Sequence, residues 1–199
     1  MSILRSKCFI ICLCALCAFV LVAPGFASTY KSQDGALVVS ARAIDMKADA
    51  LVASGKAHVH YADSVAKSIL EVDAEKITVV IAKKSATNSN SKTALKSAVL
   101  AGPVKLVYTS PDSNGSISKI TATADCADFD GVTNLAHLTG NVKIVSVNPS
   151  MFVEPAVMVG DKATVNLMPN PGPDDFRFRI ESSPGVSTIT VTPKPKENK

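Results

Sequence analysis

The sequence predicts an all-β protein built from repeated strand units. Short segments rich in Val, Ile and Thr alternate in polarity, and Gly, Pro, Asn, Asp and Ser separate them, as expected for half-buried strands joined by turns. The clearest of these segments are KAHVHY, KITVVI, VKLVY, VKIVSV, ATVNL, FRFRI and STITV. No segment offers a long apolar stripe at helical spacing. Two alternating phrases then recur along the chain.

The first phrase is a glycine followed by an alternating strand. It occurs as VASGKAHVHY (52–61), VLAGPVKLVY (99–108) and HLTGNVKIV (137–145). A glycine inside a strand marks a bend or the close approach of a neighbouring backbone. We therefore expect these strands to turn, or to meet a neighbour closely, at Gly55, Gly102 and Gly140.

The second phrase is a small residue, then a polar position, then an apolar pair at period two. It occurs as VSARAIDM (39–46), VDAEKITV (72–79), ATADCADF (122–129) and MVGDKATV (158–165), the last without a clear glycine half after it. The polar position holds, in order, Arg42, Glu75, Asp125 and Asp161. Strict alternation would place the acids on the apolar face, so the phrase predicts a β-bulge or corner. There the carboxylates are expected to accept hydrogen bonds from backbone donors.

Repeated units of this size must stack, because none can bury its apolar face alone. Since side chains alternate between the two faces of a strand, stacking in register predicts one row containing Val59, Leu106 and Ile144. The residues two positions earlier form the adjacent row, which is Ala57, Val104 and Val142.

The N-terminus has the three parts of a secretory signal peptide. Arg5 and Lys7 precede an apolar run at 8–22, and a segment with Pro24 and small residues follows;. We expect cleavage after Ala27 and export to the periplasm. The alternative is an anchor in the inner membrane formed by residues 8–22, although this run spans only roughly 22 Å as a helix, against a hydrocarbon core of about 30 Å.

The remaining chain is predicted to form one domain over residues 28–191. Residues 83–97 are polar and low in complexity, which predicts an inserted loop, and Asn114-Gly115 predicts a hairpin turn;. The proline-rich segment 169–175 cannot be a central strand, and residues 192–199 are expected to form a disordered tail.

The charge and the cysteines exclude two classes of protein. The net charge of +4 includes Arg5 and Lys7 of the leader, and without them it falls to +2, which is too balanced to indicate a nucleic-acid partner;. Cys126 is the one cysteine outside the leader, so the predicted mature chain cannot form an intrachain disulfide;.

The alternation of VSARAIDMKADALVASGKAHVHY and ITATADCADFDGVTNLAHLTGNVKIV resembles the OstA-like (organic solvent tolerance) domain, over roughly residues 38–191. That resemblance implies an open β-jellyroll, a folded V-shaped pair of antiparallel sheets. It implies a lipid-binding protein of lipopolysaccharide transport and outer-membrane biogenesis, with acyl chains in an apolar groove. The implied partners are lipopolysaccharide or a similar lipid, and the inner-membrane and outer-membrane OstA-like components of a transport bridge. Head-to-tail homo-oligomers are a further implication.

Ten residues are the expected apolar lining of this groove: Met46, Val59, Tyr61, Ile77, Val79, Leu106, Tyr108, Phe129, Ile144 and Val165. The same set would equally fill the core of a closed sandwich. The alternative function is therefore a structural, self-associating β-repeat protein of the cell envelope without lipid cargo.

Other chemistry finds little support in the sequence. His58 and His60 share a strand face but are expected to point outward, and zinc would need further ligands;. Cys126 is expected to be a small, partly buried thiol, because no histidine lies near it in the sequence;. No phosphate-binding glycine loop, Gly-x-Ser-x-Gly or zinc-protease helix occurs, so neither an enzyme nor a cofactor is expected;.

Two groups of basic residues could instead contact lipid phosphates. Lys83, Lys84, Lys92 and Lys96 flank the polar loop, although most such groups are simply solvated;. In FRFRIE, alternation predicts that Phe176, Phe178 and Ile180 point inward and that Arg177 and Arg179 point outward;.

Overall fold

The computed structural model describes residues 27–81, 95–111, 114–168, 172 and 174–195. Nearly all of the predicted leader, 83–94 of the predicted loop with its first three lysines, and 196–199 of the predicted tail lie outside these residues. Within them, no helix is long and apolar enough to cross a membrane.

The described chain consists of strands and turns, which confirms the all-β prediction. The strands are β1 (Ser28–Lys31), β2 (Leu37–Ala41), β3 (Ala43–Met46), β4 (Ala50–Asp63), β5 (Ser68–Ile81), β6 (Leu95–Pro111), β7 (Ile117–Asp130), β8 (Leu135–Val147), β9 (Ala156–Asn166), β10 (Phe178–Glu181) and β11 (Thr188–Thr190).

All of these strands belong to one antiparallel sheet. The order is β1-β2-β4-β5-β6-β7-β8-β9-β10, with β3 paired to β4 and β11 paired to β9. Consecutive long strands are therefore neighbours, as in a meander. In the described chain the sheet is open, because β1 at one edge and β10 and β11 at the other do not pair with each other.

Each long strand is interrupted at the level of the repeated phrases. The register shifts between Ser54 and Ala57, between Ala101 and Val104, and between Thr139 and Val142. Each shift contains a glycine with a left-handed backbone: φ is 76° at Gly55, 88° at Gly102 and 79° at Gly140. A bulge bends the strand that carries it, so the predicted bulges are confirmed and the sheet bends along one line.

This line of bulges divides the sheet into two half-sheets. The first half-sheet contains 57–63, 68–74, 104–111, 117–124, 142–147 and 156–160, with β1, β2 and β11. The second contains 50–54, 76–81, 95–101, 126–130, 135–139 and 162–166, with β3 and β10.

The two repeated phrases meet at the bulges. A Cβ on Gly102 would lie 2.7 Å from the Cβ of Glu75, and a Cβ on Gly140 would lie 2.9 Å from the Cβ of Asp125. The polar residue of one phrase thus packs on the glycine of the next, which leaves no room for a side chain there. The predicted backbone partner is present at Asp161, whose Oδ2 accepts a hydrogen bond from the Ser183 N–H at 3.0 Å.

The predicted row of Val59, Leu106 and Ile144 is confirmed by the pairing. Val59 pairs with Val72, Val72 with Leu106, Leu106 with Ala122, and Ala122 with Ile144. All five side chains in this row are at most 5% exposed.

Two details of the predicted organisation were wrong. Strand β6 begins at Leu95, so 95–97 of the predicted loop are part of the sheet. Residues 192–195 of the predicted tail are held by backbone hydrogen bonds, among them Val153 N–H to Thr192 O at 2.9 Å.

Candidate lipid-binding groove

The two half-sheets face each other across an apolar interior. One small cavity is lined by Leu70, Val72 and Leu106 of the first half-sheet and by Ile77, Leu100 and Phe129 of the second. Residues from opposite sides of the bulge line therefore meet in one core. The cavity holds about 20 Å³, little more than one water molecule;. Most of this interior is thus filled by side chains.

Seven of the ten predicted lining residues are buried in this interior: Val59, Ile77, Val79, Leu106, Tyr108, Ile144 and Val165, each at most 4% exposed. Tyr61 and Phe129 are partly buried and pack against the same core. The structure therefore brings these nine side chains to one apolar surface.

Met46 is the exception, because it is exposed at the edge of the sheet rather than packed with the other nine. It pairs with Leu51, which is 1% exposed, but Met46 itself is 64% exposed. Strand β3 is short and pairs with β4 alone, so the described chain has no strand on its other side. Alternation assigns the side of the sheet correctly but does not reveal that the strand lies at an edge.

A second cleft, of about 230 Å³, opens where the two half-sheets end. We call it the mouth. It is lined by Tyr61, Ser68 and Tyr108 of the first half-sheet and by Phe129, Asn134 and Leu167 at the end of the second. The turns at 64–67 and 131–134 lie beside it. The mouth is the place where the apolar interior approaches solvent.

Two titratable groups report on the environment near the mouth. Burial, and then the nearby carboxylates of Asp63 and Asp34, raise the pKa of Tyr61. Burial lowers the pKa of Arg177, partly offset by its electrostatic interaction with Tyr108. Arg177 had been expected to point outward, but its Nη1 donates to the Asn166 and Met168 carbonyl oxygens at 2.8 and 2.6 Å.

Sequence reasoning missed a set of buried serines at the end of the first half-sheet, of which Ser68 lines the mouth. Ser68, Ser110 and Ser146 are each at most 8% exposed, and they continue the buried alternation of β5, β6 and β8. Extending the period-two pattern from Leu106 and Tyr108 by one further step would have identified Ser110. These hydroxyl groups make this end of the first half-sheet more polar than its centre.

The candidate metal and thiol groups lie on the outer surface. The Nδ1 atom of His58 is 2.8 Å from the Asp73 carboxylate, and that of His60 is 3.5 Å from Glu71. The described residues contain no group of three or more His, Cys, Asp or Glu side chains placed to share a metal ion. Cys126 is exposed rather than partly buried, because it lies at the bulge of β7.

A comparison with solved structures identifies the architecture. LptH, described as the LptA homologous periplasmic component of the conserved lipopolysaccharide transport device from Pseudomonas aeruginosa, matches with a TM-score of 0.51 over 80% of this chain and 95% of its own. The chain has the LptH fold. The expected open jellyroll is thereby confirmed. The sequences are 12% identical, so the likeness to LptH concerns the fold. No protein-family model and no curated protein sequence matches the chain.

Proposed function

We propose that the protein is a periplasmic carrier that holds the acyl chains of lipopolysaccharide, or of a similar lipid, on the way to the outer membrane. The observation that carries this proposal is the apolar surface between the two half-sheets, which opens at the mouth in a fold shared with LptH. Burying apolar chains against such a surface is favourable by about 25 cal/mol per Å².

The filled interior sets a condition on how lipid enters. A cavity of about 20 Å³ cannot hold an acyl chain, so the half-sheets must separate at the mouth. The bulge line is the natural hinge, because the sheet hydrogen bonds are already interrupted there;. Separation would expose Leu106 and Phe129, and acyl chains would then replace the contacts between the half-sheets.

The open edges of the sheet support assembly into a bridge. An unpaired edge strand is a template for a strand of another chain. Edge strand β11 carries Ile189, which is 57% exposed although its partner Met158 is buried. A neighbouring domain that pairs with this edge would cover Ile189 and continue the apolar surface. We propose the OstA-like inner-membrane and outer-membrane components, or a second copy, as such neighbours.

The N-terminal sequence supports a periplasmic location. Cleavage after Ala27 would leave residues 28–191 as the mature jellyroll domain, with β1 starting at the first of them. An uncleaved segment 8–22 would instead tether the same domain to the inner membrane. N-terminal sequencing of protein from the cell envelope distinguishes the two forms, and an intact Met1 with tight membrane association would favour the anchor.

One observation favours the alternative, a structural protein that carries no lipid. The described interior is already filled, as expected for a closed sandwich core. Native mass spectrometry of the mature protein, purified from its envelope, separates the two functions. A carrier retains a copurified lipid whose mass identifies the acyl chains. A protein that is free of lipid, and that stays so after incubation with lipopolysaccharide, is a structural repeat.

A further inference from the structure

The two sides of the mouth differ in chemistry. Five inward-facing residues at this end of the first half-sheet carry a hydroxyl group, and we call this set the hydroxyl lip. Ser68 and Tyr108 line the mouth itself, and Ser110, Ser118 and Ser146 lie at the same end of the half-sheet. On the second half-sheet, the inward-facing side chains at this end are mostly apolar, with Asn134 beside them; we call the apolar set the apolar lip, and it comprises Ile81, Leu95, Phe129 and Leu167. An apolar chain alone would not need such a difference.

The strand register makes the hydroxyl lip continuous. Ser110 pairs with Ser118, Tyr108 pairs with Ile120, and Ile120 pairs with Ser146. Paired residues have their Cβ atoms about 5 Å apart, and diagonal neighbours are within reach of a long side chain. A ligand at the mouth could therefore contact several of these hydroxyl groups at once.

Two of these hydroxyl groups lack a partner. Tyr108 is 4% exposed, and among the described residues neither its hydroxyl nor the buried hydroxyl of Ser118 has a hydrogen-bond partner. Buried polar groups are nearly always hydrogen-bonded, because an unsatisfied donor loses its interaction with water and gains nothing. Two such donors on adjacent strands, one of them lining the mouth, indicate a partner that arrives when the mouth opens.

The charges near the lip restrict what this partner is. The lip itself is neutral, and the guanidinium of Arg177, which interacts electrostatically with Tyr108, is engaged with two backbone carbonyls. Asp63 lines the same cleft and disfavours an anion. Neutral oxygen acceptors are the best match to neutral hydroxyl donors next to a carboxylate. In an acylated lipid, such acceptors are the ester and amide carbonyls where each chain joins the polar part.

We propose that the hydroxyl lip binds the ester or amide linkages of an acylated lipid, with Tyr108 and Ser118 donating hydrogen bonds to their carbonyl oxygens. This inference rests on the proposed carrier function. It places the junction between the polar and apolar parts of the lipid at the mouth. The acyl chains then extend from the linkages toward the bulge line, between the half-sheets.

The test compares Tyr108→Phe with wild type in two measurements. In the lipid-free protein, the melting temperature stays the same or rises, because the variant removes an unsatisfied buried hydroxyl. The Kd for purified lipopolysaccharide increases about tenfold, as expected for the loss of one buried hydrogen bond. Ser118→Ala gives the same pair of results. Tyr30→Phe, on β1 and outside the mouth, changes neither quantity.

Other outcomes overturn the inference in distinct ways. An unchanged Kd for Tyr108→Phe, with wild type binding normally, means that only water satisfies the hydroxyl. A lower melting temperature without lipid means that the hydroxyl is structural. An affinity loss that disappears with lipopolysaccharide stripped of its lipid phosphates assigns the hydroxyl to phosphate rather than to the linkages. Wild-type protein that binds no lipopolysaccharide refutes the carrier function as well.

Discussion

Gly102 offers the sharpest test of how the repeated phrases fold the sheet. Its φ of 88° lies in the left-handed region, and an added Cβ would lie 2.7 Å from the Cβ of Glu75. Gly115 is the matched control, since its φ is 78° but an added Cβ would have no atom within 4 Å. Alanine at both positions therefore meets a similar backbone strain, and only Gly102→Ala adds a clash between two phrases.

The magnitudes follow from these two contributions. A left-handed backbone costs a residue with a Cβ about 1–2 kcal/mol, so Gly115→Ala should lower the free energy of unfolding by about 1 kcal/mol. Overpacking typically costs a further 1–3 kcal/mol, so Gly102→Ala should lower it by about 3 kcal/mol. For a protein of this size the difference of about 2 kcal/mol separates the two melting temperatures by about 4–8 °C.

A second substitution shows whether the clash is the cause. Glu75→Gly removes the Cβ that alanine at position 102 would meet, at a cost of about 1 kcal/mol for a glycine within a strand. The double variant should therefore be more stable than Gly102→Ala by about 1 kcal/mol. Thermal unfolding followed by circular dichroism measures wild type, the three single variants and the double variant. Equal losses of stability for Gly102→Ala and Gly115→Ala would refute the packing of Glu75 on Gly102. So would a double variant whose loss of stability is the sum of the losses of its two single variants.

Three further predictions follow from burial, pKa and edge exposure. Leu106→Asp should lower the free energy of unfolding by more than about 3 kcal/mol, because it buries a charge. Lys143→Asp, on the outer face, should change the free energy of unfolding by less than about 0.5 kcal/mol. Chemical denaturation measures both variants, and similar losses would mean that the two faces of the sheet are misassigned. The Val132 N–H holds the pKa of the Asp130 carboxyl below its usual range, so its stabilisation is present above the ordinary aspartate pKa and is lost as pH falls through the folded value;. The melting temperatures of wild type and Asp130→Ala should therefore differ at neutral pH and converge in acid, and a constant gap would contradict this. The exposed edges predict association that increases with concentration and is insensitive to reductant; light scattering that shows a monomer at all concentrations would remove the bridge-building part of the proposal.

The rows of apolar side chains in this fold could be predicted from the sequence, because side chains alternate between the two faces with period two in each repeated strand. Val59, Leu106 and Ile144 occupy equivalent positions in three copies, and their row follows once the strands stack in register. The bulges were also predicted, because a strand that alternated strictly would place the acidic side chains on the apolar face. These inferences depend on local pattern alone, and they agree with the structure.

Edges and ends could not be predicted in the same way. Met46 has the correct alternation, but its exposure depends on β3 having a neighbour on one side only. Residues 192–195 have a tail-like composition, yet Phe152 pairs with Pro193 and holds the segment against the connection between β8 and β9. That the hydroxyl of Tyr108 has no hydrogen-bond partner among the described residues depends on its surroundings in three dimensions, which alternation does not describe.

The most direct test of the carrier function is photocrosslinking of lipopolysaccharide to single positions of the protein. A photoreactive side chain at position 106 lies in the apolar interior, and one at position 143 lies on the opposite face of the sheet. We expect a strong crosslink from position 106, a weak one or none from position 143, and a folded protein in both cases. A folded protein supplied with lipopolysaccharide that gives no crosslink from position 106, or equal crosslinks from both positions, would contradict it.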